Sequence, residues 1–175
     1  MEAYAEVKAS TFRLPEAGIY TVQAPDSFPQ AAYSRTKKGA LSISVDPTIL
    51  APTNEGFTLR FTKVSATVFK RDGKNASQVG DYLKACGITG SYSSEQELAD
   101  AVEQTAGKVY QVKLDWRAYN KNTGFSLQGM NRFPKNEDGT HQSWVEDPSD
   151  KDPQTGKPVR VRANIQVDRY ISSTN

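Results

Sequence analysis

The chain has 175 residues, a formal net charge of only +2 and 37% hydrophobic residues. That suits one domain, 1–175, with a real core and a very polar surface, and excludes any argument from net charge about a partner. Its one cysteine, Cys86, excludes a disulfide framework and a cysteine-rich zinc site, and fits a reducing compartment. No apolar run is long enough to span a membrane, and residues 1–10 carry acids without an apolar core. Neither a membrane partner nor a secretory signal is therefore expected, and the expected location is cytoplasmic.

Residues 1–15 read as a lead-in, closed by Pro15 and Gly18. A strand is predicted over 19–24, with Tyr20 and Val22 on one face, because successive side chains alternate. Residues 25–39 are rich in turn formers and read as a loop, which also holds Phe28, Tyr33, Arg35, Lys37 and Lys38. A strand over 41–45 turns Leu41, Ile43 and Val45 inward. Residues 57–71 read as one long strand. Its apolar phase moves from odd numbers (Phe57, Leu59, Phe61) to even ones (Val64, Ala66, Val68), which predicts a bulge near Thr62 and Lys63. This reading places Phe57 and Phe61 in the core, and Lys63, Phe69 and Arg71 on the wet face.

The spacing of Val79, Tyr82, Leu83 and Cys86 predicts a helix over 75–85, capped by Asn75 or Ser77 and stopped at Gly87. A second helix opens in Ser93-Ser94-Glu95-Gln96-Glu97, where Ser94 and Glu97 form a capping-box pattern. Leu98, Ala101, Val102 and Thr105 make its apolar stripe, and Gly107 ends it. In a strand over 108–120, Tyr110, Val112, Leu114, Trp116 and Ala118 face inward, and Gln111, Lys113, Asp115, Arg117 and Tyr119 outward. Residues 121–158 read as one long polar loop with a short strand around 125–130. In the last strand, 159–171, the dry face carries Val159, Val161, Ala163, Ile165 and Val167. The wet face carries Arg160, Arg162, Asn164, Gln166, Asp168 and Tyr170.

Charge is segregated along the chain. Residues 108–121 hold four basic and one acidic side chain, whereas 75–107 hold one and five. Such segregation steers an anion to one face. Arginines and rings together on a wet strand face can hold a single nucleic-acid strand, cations neutralising phosphates and rings stacking on bases.

Three strands, a helical insertion and two more strands is the layout of the OB-fold. This is a mainly β, five-stranded Greek-key barrel with a helical insertion between strands three and four, here with a long loop between strands four and five. Three features carry a likeness: Gly80-Asp81-Tyr82-Leu83 followed by Gly87, Lys113-Leu114-Asp115-Trp116, and the Arg160/Arg162 strand. Over residues 17–172 the chain resembles the small OB-fold single-stranded DNA-binding proteins of bacteriophages and prophages. The resemblance implies sequence-tolerant binding of single-stranded DNA during phage DNA replication or recombination in the host cytoplasm. It implies no catalysis, metal or cofactor. Replication or recombination proteins would be further partners, and homo-oligomer formation stays open. Family members often end in an acidic tail that recruits partners; this sequence ends Ser172-Ser173-Thr174-Asn175 and has its acidic stretch at 146–152.

For phosphate contacts the reading selects Arg35, Lys37, Lys38, Arg60, Lys63, Arg71, Lys113, Arg117, Arg160 and Arg162. For stacking it selects Tyr33, Phe69, Tyr119 and Phe133, with Trp144 and Tyr170 next. Phe69 and Tyr119 are off-phase, on the wet face of strands whose other face is apolar, so each needs a ligand or a covering loop. Trp116 shares its phase with Val112 and Leu114 and reads as core. The competing assignment for each cation is an ordinary solvated charge. Cys86 follows the apolar positions of a helix, and His141 sits in a polar loop, so no catalytic pair is expected. Asp147, Asp150 and Asp152 are spaced somewhat like calcium ligands but lack the Gly and Glu of an EF-hand loop. The alternative function is a non-enzymatic phage structural or protein- or sugar-binding β-barrel module, which would scatter the cations and use an apolar patch for assembly.

Overall fold

Strands dominate the structure: 41% of the described residues are strand and 14% helix. The computed structural model describes residues 13–172. Most of the lead-in, residues 1–12, and residues 173–175 lie outside the described residues. In chain order the strands are β1 (Gly18–Gln23), β2 (Tyr33–Arg35), β3 (Leu41–Ser44), β4 (Thr48–Ala51), β5 (Lys63–Ser65), β6 (Phe69–Arg71) and β7 (Lys74–Ala76). Two helices follow, α1 (Gln78–Ala85) and α2 (Glu95–Glu103), then β8 (Val109–Tyr119), β9 (Ser126–Gln128), β10 (Trp144–Lys151) and β11 (Pro158–Ile171). The chain divides into two compact units, and the long strands β8 and β11 contribute to both.

The larger unit comprises Ala17–Trp116 and Gln166–Asn175. Its main sheet has the order β4-β1-β8-β11. Tyr20 pairs with Val112, and Val22 with both Tyr110 and Ile49, so the inward positions of three strands stack in one layer. Val22, Ile49, Val112 and Leu114 are fully buried there, each contributing roughly 1.5–3 kcal/mol by its removal from water. A second sheet, β2-β3-β5, buries Ile43 and Val64, which pair directly. Both helices form as their caps dictate: the Ser77 hydroxyl accepts from Gly80 N and the Ser94 hydroxyl from Glu97 N. Glu97 reaches back to Ser93 N at 2.7 Å, one residue earlier than the standard capping box. Val79, Tyr82, Leu83, Ala101 and Val102 are the buried stripe.

The long strand expected over 57–71 is broken into two. Asp46 accepts from Thr62 N at 2.8 Å and the Thr62 hydroxyl donates to Leu59 O, closing a tight turn in which Phe61 takes φ +63°. The change of apolar phase is therefore a turn, not a bulge. Phe61, expected in the core, is 83% exposed. Beyond β5 the chain leaves the sheet, and β6 pairs only with β7 as a separate hairpin. β4 lies between the two expected strands, in a stretch to which no element had been assigned.

The smaller unit comprises Met1–Glu16 and Arg117–Ile165. Its strand order is β9-β8-β11-β10. The expected 121–158 loop thus contains two strands, β9 and β10, and a 3-10 turn at Met130–Arg132. The short strand predicted near 125–130 is β9, and β10 is an addition that the sequence concealed. The β10–β11 hairpin closes at residues 152–157, where Asp152 N donates to Lys157 O and Gly156 takes φ +67°. β10 bulges between Asp147 and Lys151 and contains Pro148, which an edge strand tolerates.

Asp147, at that bulge, is completely enclosed. It accepts from Asn120 Nδ2 at 2.9 Å, the Thr123 hydroxyl, and Ser149 through both its N–H (2.9 Å) and hydroxyl (2.6 Å). Asn120 also donates to Asp150 at 2.8 Å. This network ties the turn between β8 and β9 to β10. Burial alone would raise the Asp147 carboxyl, but these donors outweigh it and hold it down at about 2.

Candidate nucleic-acid interface

The outward face of the smaller unit's sheet is assembled by strand register. Across β8 and β9, Arg117 faces Gln128 and Tyr119 faces Ser126. Across β10 and β11, Trp144 faces Arg162 and Glu146 faces Arg160. The relation between β8 and β11 follows from two contacts further along the same strands. Tyr110 meets Tyr170, with ring centres 6.3 Å apart, and Lys113 pairs with Asp168 at 3.8 Å. Rising numbers on β8 meet falling numbers on β11, so the strands are antiparallel. Odd-numbered β8 side chains share a face with even-numbered β11 side chains as far as Asp168. Burial alternates without a break from Tyr110 to Tyr119 and from Val161 to Asp168. The Lys113–Asp168 pair therefore places Tyr119 on the same face as Arg160 and Arg162.

The result is one face carrying Ser126 and Tyr119 from the paired β9 and β8, and Arg162 and Trp144 from the paired β11 and β10. Arg117 and Arg160 belong to it as well. The Arg117 guanidinium lies 5.2 Å from the Tyr119 ring centre, and its Nε donates to the Ser126 hydroxyl at 3.4 Å. The Arg160 guanidinium lies 4.0 Å from the Trp144 ring centre. Tyr119 is 52% exposed and Trp144 half-buried. Ala118, Val161 and Ala163, on the opposite side of the same strands, are buried, so this face rests on a packed floor. Glu146 is the acidic member of this face. Three guanidinium groups and two rings on one rigid surface supply both kinds of contact that a single nucleic-acid strand offers.

Not every expected contact residue belongs to this face. Phe133 is only 2% exposed and cannot stack on a base. It packs at the end of a short 3-10 turn, and its carbonyl accepts from His141 Nδ1 at 2.7 Å. Tyr170 is turned inward as well. The burial phase of β11 changes after Asp168, and the ring meets Tyr82 edge-on with centres 5.8 Å apart. Trp116 is buried, in keeping with its phase.

The remaining expected residues lie in the larger unit, several already paired. Arg35 binds Glu95 at 2.6 Å and Gly39 O at 3.3 Å. The half-buried Tyr33 donates to Glu103 at 3.2 Å; burial first, then that carboxylate, pushes its hydroxyl up to about 12. Arg71 stacks 5.1 Å over Phe69 and pairs with Asp81 at 3.1 Å. Lys113 is held by Asp168. Lys37 and Lys38 are exposed on the turn between β2 and β3, and Arg60 and Lys63 flank the exposed Phe61.

The sequence places Trp144 after the four leading stackers and gives no reason to select Gln128 or Ser126, because β10 and the β8–β9 pairing are not visible in it. The hairpin turn at 152–157 was the available signal: folding about it brings Trp144 level with Arg162. Cys86 is buried, and that burial pushes its thiol up to about 11, against the influence of Tyr82 and Lys108. Such a thiol is a poor nucleophile at neutral pH. A groove of about 400 Å³ between residues 88–92 and α2 is lined by Tyr92, Glu97 and Asp100, whose carboxylates disfavour a phosphate chain. No helix among the described residues is long and apolar enough to cross a membrane. No protein-family model matches the chain, and neither a curated protein nor a solved structure matches it.

Proposed function

We propose that this protein binds single-stranded DNA without strong sequence preference, on the outward face of the smaller unit, in the setting of phage DNA replication or recombination. In this proposal the strands and their helical insertion are an elaborated OB-fold. The observation that supports binding is the gathering of Tyr119, Trp144, Arg117, Arg160 and Arg162 on one sheet face, with a guanidinium over each ring. Rings stack on any base, which explains tolerance of sequence, and each stacked base is worth about 1–3 kcal/mol. A duplex keeps its base faces covered and offers this face only phosphates, so the single strand is preferred.

The test is a fluorescence-anisotropy titration with labelled oligo(dT) and a duplex of equal length, at about 50 and 200 mM salt. Tighter binding to the single strand, weakening steeply with salt, supports the proposal. Equal affinity for both, or no binding at low salt, overturns it.

A further inference from the structure

The arginines of this face are not equivalent, and the geometry separates them. Arg160 has Glu146 directly across the hairpin, yet its guanidinium lies over the Trp144 ring at 4.0 Å. Arg117 is likewise over Tyr119, with Nε on the Ser126 hydroxyl. Arg162 is exposed, opposite Trp144 by register, on the strand that lies between those of Trp144 and Tyr119. Tyr119 and Trp144 lie on strands separated by β11, at two interstrand spacings or about 10 Å. That is nearly three times the ~3.4 Å rise between stacked nucleotides. A strand engaging both rings spans β11, so its backbone passes the strand that carries Arg162.

We infer a division of labour that rests on the single-strand reading above. Arg162 is the phosphate contact, while Arg117 and Arg160 are positioning residues that hold Tyr119 and Trp144 as fixed platforms for two separated bases. A guanidinium lies over one face of each ring, and in this proposal the other face takes a base. The planar group suits this role as an ammonium does not.

The experiment uses oligo(dT) titrations of the full chain across a salt series, with Arg160→Lys, Arg160→Gln and Arg162→Gln. Arg162→Gln is expected to flatten the plot of log affinity against log salt by about 0.7, the share of one phosphate contact on a single strand. Arg160→Gln is expected to weaken binding with the slope unchanged. Arg160→Lys keeps the charge and is still expected to lose about two- to fivefold, the value of an exposed cation–ring contact. In both Arg160 variants the tryptophan emission of the free protein shifts to the red, since Trp144 loses its cover while Trp116 stays buried. An Arg160→Lys variant with wild-type affinity and emission, or an Arg160→Gln variant that flattens the slope as Arg162→Gln does, overturns the division of labour alone. Failure of the unsubstituted chain to bind oligo(dT) overturns it together with the function it rests on.

Discussion

Arg160 stacks on Trp144 although Glu146 is its cross-strand neighbour. An exposed ion pair on a strand is worth little, with a median of about 0–1 kcal/mol. The ring contact adds dispersion and removes part of the indole from water, so the guanidinium settles there. This preference gives the indole a fixed orientation before any partner arrives.

That orientation makes Trp144 a reporter. The other tryptophan, Trp116, is 4% exposed. Oligo(dT) is expected to quench the protein's fluorescence, and Trp144→Phe to abolish most of the quenching while keeping part of the affinity. Trp144→Ala should weaken binding by about 1–3 kcal/mol, or roughly 5- to 150-fold. A stopped-flow or steady-state titration reads both. Undiminished quenching in Trp144→Phe would remove this ring from the interface.

Phe133 belongs to the packing of the smaller unit. Phe133→Ala is expected to cost about 3–5 kcal/mol by urea denaturation, as for other enclosed aromatic side chains. Oligo(dT) affinity should be unaltered under conditions where the variant is folded. A stable variant with weakened binding would contradict this.

The Asp147 network sets an acid limit. Its carboxyl is held at about 2, against an ordinary 3.8. A lowered value in the folded state means that ionised Asp147 stabilises the fold at any pH above about 4. That contribution is lost as pH falls from about 4 to 2. Melting temperature measured across this window should therefore fall on acidification. Asp147→Asn should melt lower at neutral pH and show a shallower decline between pH 4 and 2. Parallel curves for the two proteins would assign the acid transition to other carboxylates.

Two buried phenols in the larger unit are expected to respond oppositely to loss of their hydroxyls. Tyr82 donates to the Thr105 hydroxyl at 2.8 Å, Thr105 itself donating to Val102 O. The Tyr110 hydroxyl is enclosed without a hydrogen-bond partner. Tyr82→Phe should cost about 1 kcal/mol, whereas Tyr110→Phe should leave stability unchanged or raise it by up to about 1 kcal/mol, because it removes a desolvated group. The rings themselves meet edge-on, with centres 5.4 Å apart, and both substitutions preserve that contact. Chemical denaturation of the pair settles the contrast.

Elements whose causes are local in the chain were legible. Ser77 and Ser94 cap their helices with neighbours three residues away, and β8 alternates over its full length. β10 was hidden because Asp147, Pro148 and Ser149 interrupt alternation, and its pairing depends on β11. The direction of Phe61 depends on Asp46 gripping Thr62 from sixteen residues away. Tyr170 followed the parity of its strand on paper; the phase change after Asp168 reverses it. Cations were easy to nominate, but their occupancy by Glu95 or Asp168 is set by tertiary placement. The outward placement of Arg117, Tyr119, Arg160 and Arg162 was legible because two long, regular strands carry them.

The irregular end of β10 limits growth of the sheet by addition of another chain. Pro148 has no N–H to offer, and the amide of Ser149 is already committed to Asp147. An incoming strand would find a usable rim only as far as Glu146, too short for durable β-augmentation.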